Sequence, residues 1–61
     1  MNVNKLKGLI AEKGFTKESF AKMLGMSGAG LSYIIKNKRT DTDTLLKMAQ
    51  ILEVEPQILL K

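Results

Sequence analysis

An all-α fold of five short helices is predicted by three features of this 61-residue sequence. Apolar residues recur at three- and four-residue spacing almost throughout, and no stretch sustains strand-like alternation. Helix-capping residues and glycines bracket the apolar groups, as starts and stops should. The expectation is a single domain over residues 1–61, without repeats or linkers. A chain of this size buries only about 60% of its unfolded surface, and with no Cys it relies on one apolar core.

The first helix is expected over about residues 2–13, where Val3, Leu6, Leu9 and Ile10 form one stripe and Gly14 supplies the stop. Thr16 is the N-cap expected for the second, with Phe15 and Phe20 placed as a hydrophobic staple and Glu18 at the positive end of the helix dipole. Ala21, Met23 and Leu24 continue inward until Gly25. The third repeats this pattern, with Met26 before a Ser27 cap and Leu31 four residues after it. Ile34 and Ile35 complete its stripe, and Asn37 is the expected left-handed terminator. The fourth begins near Asp41, with Asp43 in its first turn, and runs through Leu45, Leu46, Met48, Ala49, Ile51 and Leu52. Pro56 suits the first position of a short fifth helix, where Val54 and Leu59 are spaced as a staple around a weak Glu55 cap.

Composition removes most chemistry. There is no His and no Cys, hence no imidazole base, thiolate nucleophile or ordinary zinc site, and an enzyme, a metal centre, a cofactor or a small-molecule substrate is not expected. No apolar run approaches the roughly 18 residues of a membrane span, and charges interrupt the N-terminal stretch, so the expected setting is the cytoplasm. The net charge of +4 is unevenly placed. Residues 1–40 carry eight basic side chains against Glu12 and Glu18, whereas residues 41–61 carry Lys47 and Lys61 against Asp41, Asp43, Glu53 and Glu55. The basic part suits a polyanion, with a merely lysine-rich solvated surface as the alternative.

Residues 17–36 read as two helices joined by the three-residue turn Gly25-Met26-Ser27, the unit that places its second helix in the DNA major groove. Ala21 falls at the expected crossing, and Leu31 and Ile34 lock the second helix on the first. An αα-hairpin with no DNA role fits the same spacing. The segment Phe15-Thr16-Lys17-Glu18-Ser19-Phe20-Ala21-Lys22-Met23-Leu24-Gly25-Met26-Ser27, followed by Leu31-Ser32-Tyr33-Ile34 and Lys36-Asn37-Lys38, resembles the Cro and phage-repressor type helix-turn-helix proteins. Leu45 to Val54 is similar to the fourth-helix signature of that family, and the likeness covers almost the whole chain.

The resemblance implies a compact, lambda-repressor-like five-helix domain that binds double-stranded DNA, with base readout by Gly28, Ala29, Ser32 and Tyr33 and with Lys36 nearer the backbone. These are poor readers, since no Arg, Asn or Gln stands there to make bidentate base contacts. Gly28 and Gly30 either let the backbone come close to DNA or mark a surface of little specificity. Phosphate contacts are better supplied. The amide end of the second helix, with Thr16 and Lys17, is similar to the family's backbone clamp, and Lys36, Asn37, Lys38 and Arg39 form a basic exit. Asp41 and Asp43 should repel phosphate. Such domains pair as dimers, and Ile51, Val54, Ile58, Leu59 and Leu60 are the candidate dimer surface, with closure of the core as the rival use. The expected function is a bacterial or phage transcriptional regulator, a repressor acting on operator DNA, and the alternative is a protein-interaction module of antitoxin-like or regulator-partner type.

Overall fold

The computed structural model describes Met1–Lys61, folded into five helices without a strand. Helix α1 spans Val3–Glu12, α2 Lys17–Leu24, α3 Gly28–Asn37, α4 Thr42–Leu52 and α5 Pro56–Leu60. Each start has a local cause. The Asn2 side chain accepts from the Lys5 amide at 3.0 Å, so Asn2 is the cap of α1 and not its first residue. Thr16 caps α2, Ser27 caps α3 and Asp41 caps α4, each accepting from an amide three residues on. Glu55 makes no such bond, and α5 starts instead on Pro56, whose fixed φ suits the first helical position.

Three helix ends share one construction. Gly14 (φ +82°), Gly25 (φ +78°) and Glu53 (φ 58°) take left-handed conformations, and the amide after each turns back onto the helix. Phe15 N–H reaches Ile10 O, Met26 N–H reaches Ala21 O and Val54 N–H reaches Ala49 O, all at 3.0 Å. These are Schellman closures, which satisfy carbonyls that a helix end leaves unpaired. The first two use glycine, for which positive φ is free of strain, but the third forces it on a glutamate. The end of α3 differs from expectation. Lys38 (φ 56°), not Asn37, is left-handed, because Asn37 remains helical and donates its side-chain amide to Tyr33 O at 2.8 Å.

The core consists of Leu6, Ile10, Phe20, Ala21, Leu24, Leu31, Met48, Ala49, Leu52 and Leu59, with no buried polar side chain. Helix α2 packs on α3 and α4, and α5 packs on α1 and α4. Asn2 N–H donates to Leu59 O at 2.7 Å, which fastens the start of α1 to α5. Two residues expected to face inward do not. Met23 is 59% exposed and Leu46 48% exposed, since the core takes their neighbours Leu24 and Leu45 instead. No helix is long and apolar enough to cross a membrane.

Candidate nucleic-acid interface

Helix α2 packs on α3, and Ala21, the residue expected at their crossing, is fully buried in the core. The turn between them is Gly25-Met26-Ser27, as the spacing predicts. Beside this turn, an open concavity of about 620 Å³ lies between α2 and the first part of α3. Lys17, Glu18 and Lys22 line it from α2, Met26 and Ser27 from the turn, and Gly28, Ala29 and Ser32 from α3. The two sides are joined: Lys17 Nζ donates to Ser32 Oγ at 2.6 Å.

All four residues expected at base edges lie on the exposed part of α3. Ala29 is open and Tyr33 is 69% exposed, while Gly28 and Ser32 are half-buried in the concavity. The two glycines at the start of α3 are not required by packing. A Cβ on Gly28 would meet only Glu18 Cγ at 3.6 Å, and one on Gly30 would find Ser27 Oγ at 3.5 Å and Met26 Cβ at 3.6 Å, all ordinary contacts. Neither has positive φ. Nothing inside the fold therefore explains why this turn of helix lacks side chains.

The groups expected on phosphates fall into two sets. At the start of α2 the Thr16 hydroxyl accepts from Ser19 N–H at 3.0 Å, and Ser19 Oγ accepts from Thr16 N–H at 2.9 Å. This reciprocal box uses Ser where Glu or Gln is usual, which is why the sequence pattern alone does not single out Ser19. The Thr16 hydroxyl is thus committed, whereas the amides of Lys17 and Glu18 donate to no group of the chain. Those two N–H groups, at the positive end of the helix dipole, are suited to an anion. The second set is the exit from α3, where Lys36, Asn37, Lys38 and Arg39 are all exposed, with the Asn37 amide partly occupied by Tyr33 O.

Asp41 follows this exit, yet its charge is engaged. Its carboxylate accepts from the Thr44 hydroxyl at 2.6 Å and from Thr44 N–H at 3.3 Å. Those bonds, the hydroxyl first, hold its pKa below the ordinary value of 3.8. The carboxylate is the cap of α4 and stays ionised in that role. Asp43 is exposed in the first turn, one residue beyond the start of α4.

The surface expected to pair two copies is only partly available. Leu59 is fully buried and belongs to the core, because its position on α5 faces α1 and α4. It is removed from any dimer surface. Leu60, one residue on, is 59% exposed, and Ile51, Val54 and Ile58 are half-buried.

Two stacked helices with a glycine turn, an accessible second helix and basic groups at both of its ends define a helix-turn-helix DNA-binding domain. The family model described as helix-turn-helix matches residues 6–59, and the chain belongs to that family, the Cro and phage-repressor type. It is a family of DNA-binding regulators of transcription and not a family of enzymes. A search of curated proteins gave no match.

Proposed function

We propose that the protein is a cytoplasmic transcriptional repressor that docks α3 in the major groove of operator DNA and binds as a homodimer. The observation that carries this reading is the arrangement around α3. Its outer face is accessible and nearly bare, while free amides at the start of α2 and the Lys36–Arg39 exit flank it with phosphate-binding groups. Phosphate contacts hold such a domain in register, and base edges meet Gly28, Ala29, Ser32 and Tyr33. Affinity is then mainly electrostatic and sequence reading modest. Pairing of two copies uses Ile51, Val54, Ile58 and Leu60 and spaces two recognition helices by about one turn of DNA.

Titration of a labelled random-sequence duplex at two salt concentrations tests the reading. Strongly salt-dependent binding is expected, and no binding at low salt overturns it in favour of a protein-interaction module. Sedimentation of the wild type and of L60E tests the pairing: a dimer that L60E converts to monomer is expected, and a wild type that stays monomeric at high micromolar concentration rejects it.

A further inference from the structure

Helix α3 has no Arg, Lys, Asn or Gln among the residues proposed to face bases, but a lysine from the neighbouring helix is fastened to that face. Lys17 Nζ lies 2.6 Å from Ser32 Oγ, across the concavity floored by Gly28 and Ala29. We infer that Lys17 and Ser32 form one base-reading unit whose target is guanine, so that Lys17 reads sequence instead of holding phosphate. This inference rests on the major-groove docking of α3 proposed above.

The chemistry of the pair sets its preference. Ser32 accepts its bond from an ammonium, which strengthens its own O–H as a donor and leaves that proton free to point outward. Lys17 has three N–H donors, of which the bond to Ser32 uses one. The unit therefore presents donors and positive charge. In the major groove guanine offers two adjacent acceptors, N7 and O6, and no donor; adenine and cytosine each present an amino group, and thymine has one acceptor beside a methyl. Guanine is the edge that three donors match. Glu18 is the one acidic side chain lining the concavity, and its carboxylate suits the same base pair, since the cytosine opposite carries the N4 amino donor. The absence of a side chain at Gly28, which lines the concavity, leaves space beside Lys17 and Ser32 for a base edge to approach.

Selection of bound duplexes from a random pool, followed by affinity measurements on single-base variants, tests this with wild type, K17M and S32A. The wild type is expected to favour guanine at one position of each half-site by about 5- to 150-fold. K17M and S32A should each relax that position and leave preferences elsewhere unchanged, and 7-deazaguanine there should weaken wild-type binding but not that of K17M. Lys17 is exposed and Ser32 half-buried, so thermal melts of both variants should stay close to wild type. If K17M instead weakens all sequences alike and makes the salt slope shallower by about 1, Lys17 is a phosphate contact and the inference is wrong. A wild type that binds duplexes with no guanine preference also overturns it, while leaving DNA binding intact. A wild type that binds no duplex at low salt overturns the proposed function itself, and this inference with it.

Discussion

The rings of Phe15 and Phe20 lie with centroids 5.6 Å apart and planes tilted by 60°, one just outside the start of α2 and the other within it. Phe20 is fully buried and Phe15 packs on the core from the side. The contact fixes the angle at which the chain enters α2, and with it the direction of the Lys17 and Glu18 amides. Phe20→Ala is expected to cost about 3–5 kcal/mol. That is comparable with the whole stability a core of this size supplies, so circular dichroism should find the variant largely unfolded at 37 °C. Phe15→Ala should cost less, and a double-mutant cycle should return a coupling of about 0.5–1.5 kcal/mol for the ring pair.

Backbone strain is stored at Glu53 and conformational freedom at Gly8. Glu53 closes α4 with φ 58°, and Glu53→Gly should stabilise the domain by up to about 1 kcal/mol, although it gives up the exposed Lys13–Glu53 ion pair of 3.6 Å. Gly8 stands in the middle of α1, and a methyl placed on its Cα would have nothing within 4 Å. Gly8→Ala should contribute about 0.5–1 kcal/mol. Neither residue lines the concavity between α2 and α3, so duplex affinity is expected to be unchanged while the melting temperature rises.

The Asp41 cap makes stability depend on acid. Its folded pKa is depressed, so its contribution is complete above the ordinary value of 3.8 and is lost as pH falls through the lower folded value. Denaturant midpoints measured across that acidic range should fall, and the Asp41 part of the fall should be absent in D41N. Asparagine caps comparably without titrating, so D41N should remain folded and retain most of its neutral-pH stability.

Gly28 separates stability from binding. Gly28→Ala should raise the melting temperature slightly, because the added methyl meets only Glu18 Cγ at an ordinary distance and glycine disfavours the helix. If α3 lies close against base edges, the same methyl should weaken duplex binding about tenfold or more. Equal or tighter binding by G28A would mean that this turn of α3 does not approach DNA closely.

Phosphate-led binding has a numerical signature. With about four phosphates neutralised, log K should fall against log salt with a slope near −3 to −4. Alanine at Lys36, Lys38 or Arg39 should weaken all duplexes alike and make the slope shallower by about 1 each. A change of sequence preference in any of these variants would place that residue on bases.

Much of the fold is legible in the sequence because its signals are local. Thr16, Ser27 and Pro56 announce helix starts, and Gly14 and Gly25 announce stops, through steric and hydrogen-bonding rules that act within a few residues. What is not legible depends on packing between helices. Residue type does not mark Glu53 or Lys38 as left-handed, since neither Glu nor Lys favours that conformation. Helix α5 is a single short turn and a half, too brief for periodicity to tell Leu59 from Leu60, so one residue of rotation separates a core side chain from an exposed one. The Lys17–Ser32 bond depends on how α2 and α3 cross, which their spacing along the chain does not specify. Family resemblance is enough to pick out the residues of the candidate interface; the link between two of them needs the three-dimensional crossing.

The bare outer face of α3 has an implication for retargeting. Ala29 is exposed on ordinary helical backbone, so a larger residue can be installed there without rebuilding the scaffold and without filling the space at Gly28. If α3 docks as proposed, Arg, Asn or Gln at position 29 would supply the two-pronged base contacts the native helix lacks. On that reading, a domain with so little written on α3 is a favourable starting point for programming new operators by a single substitution.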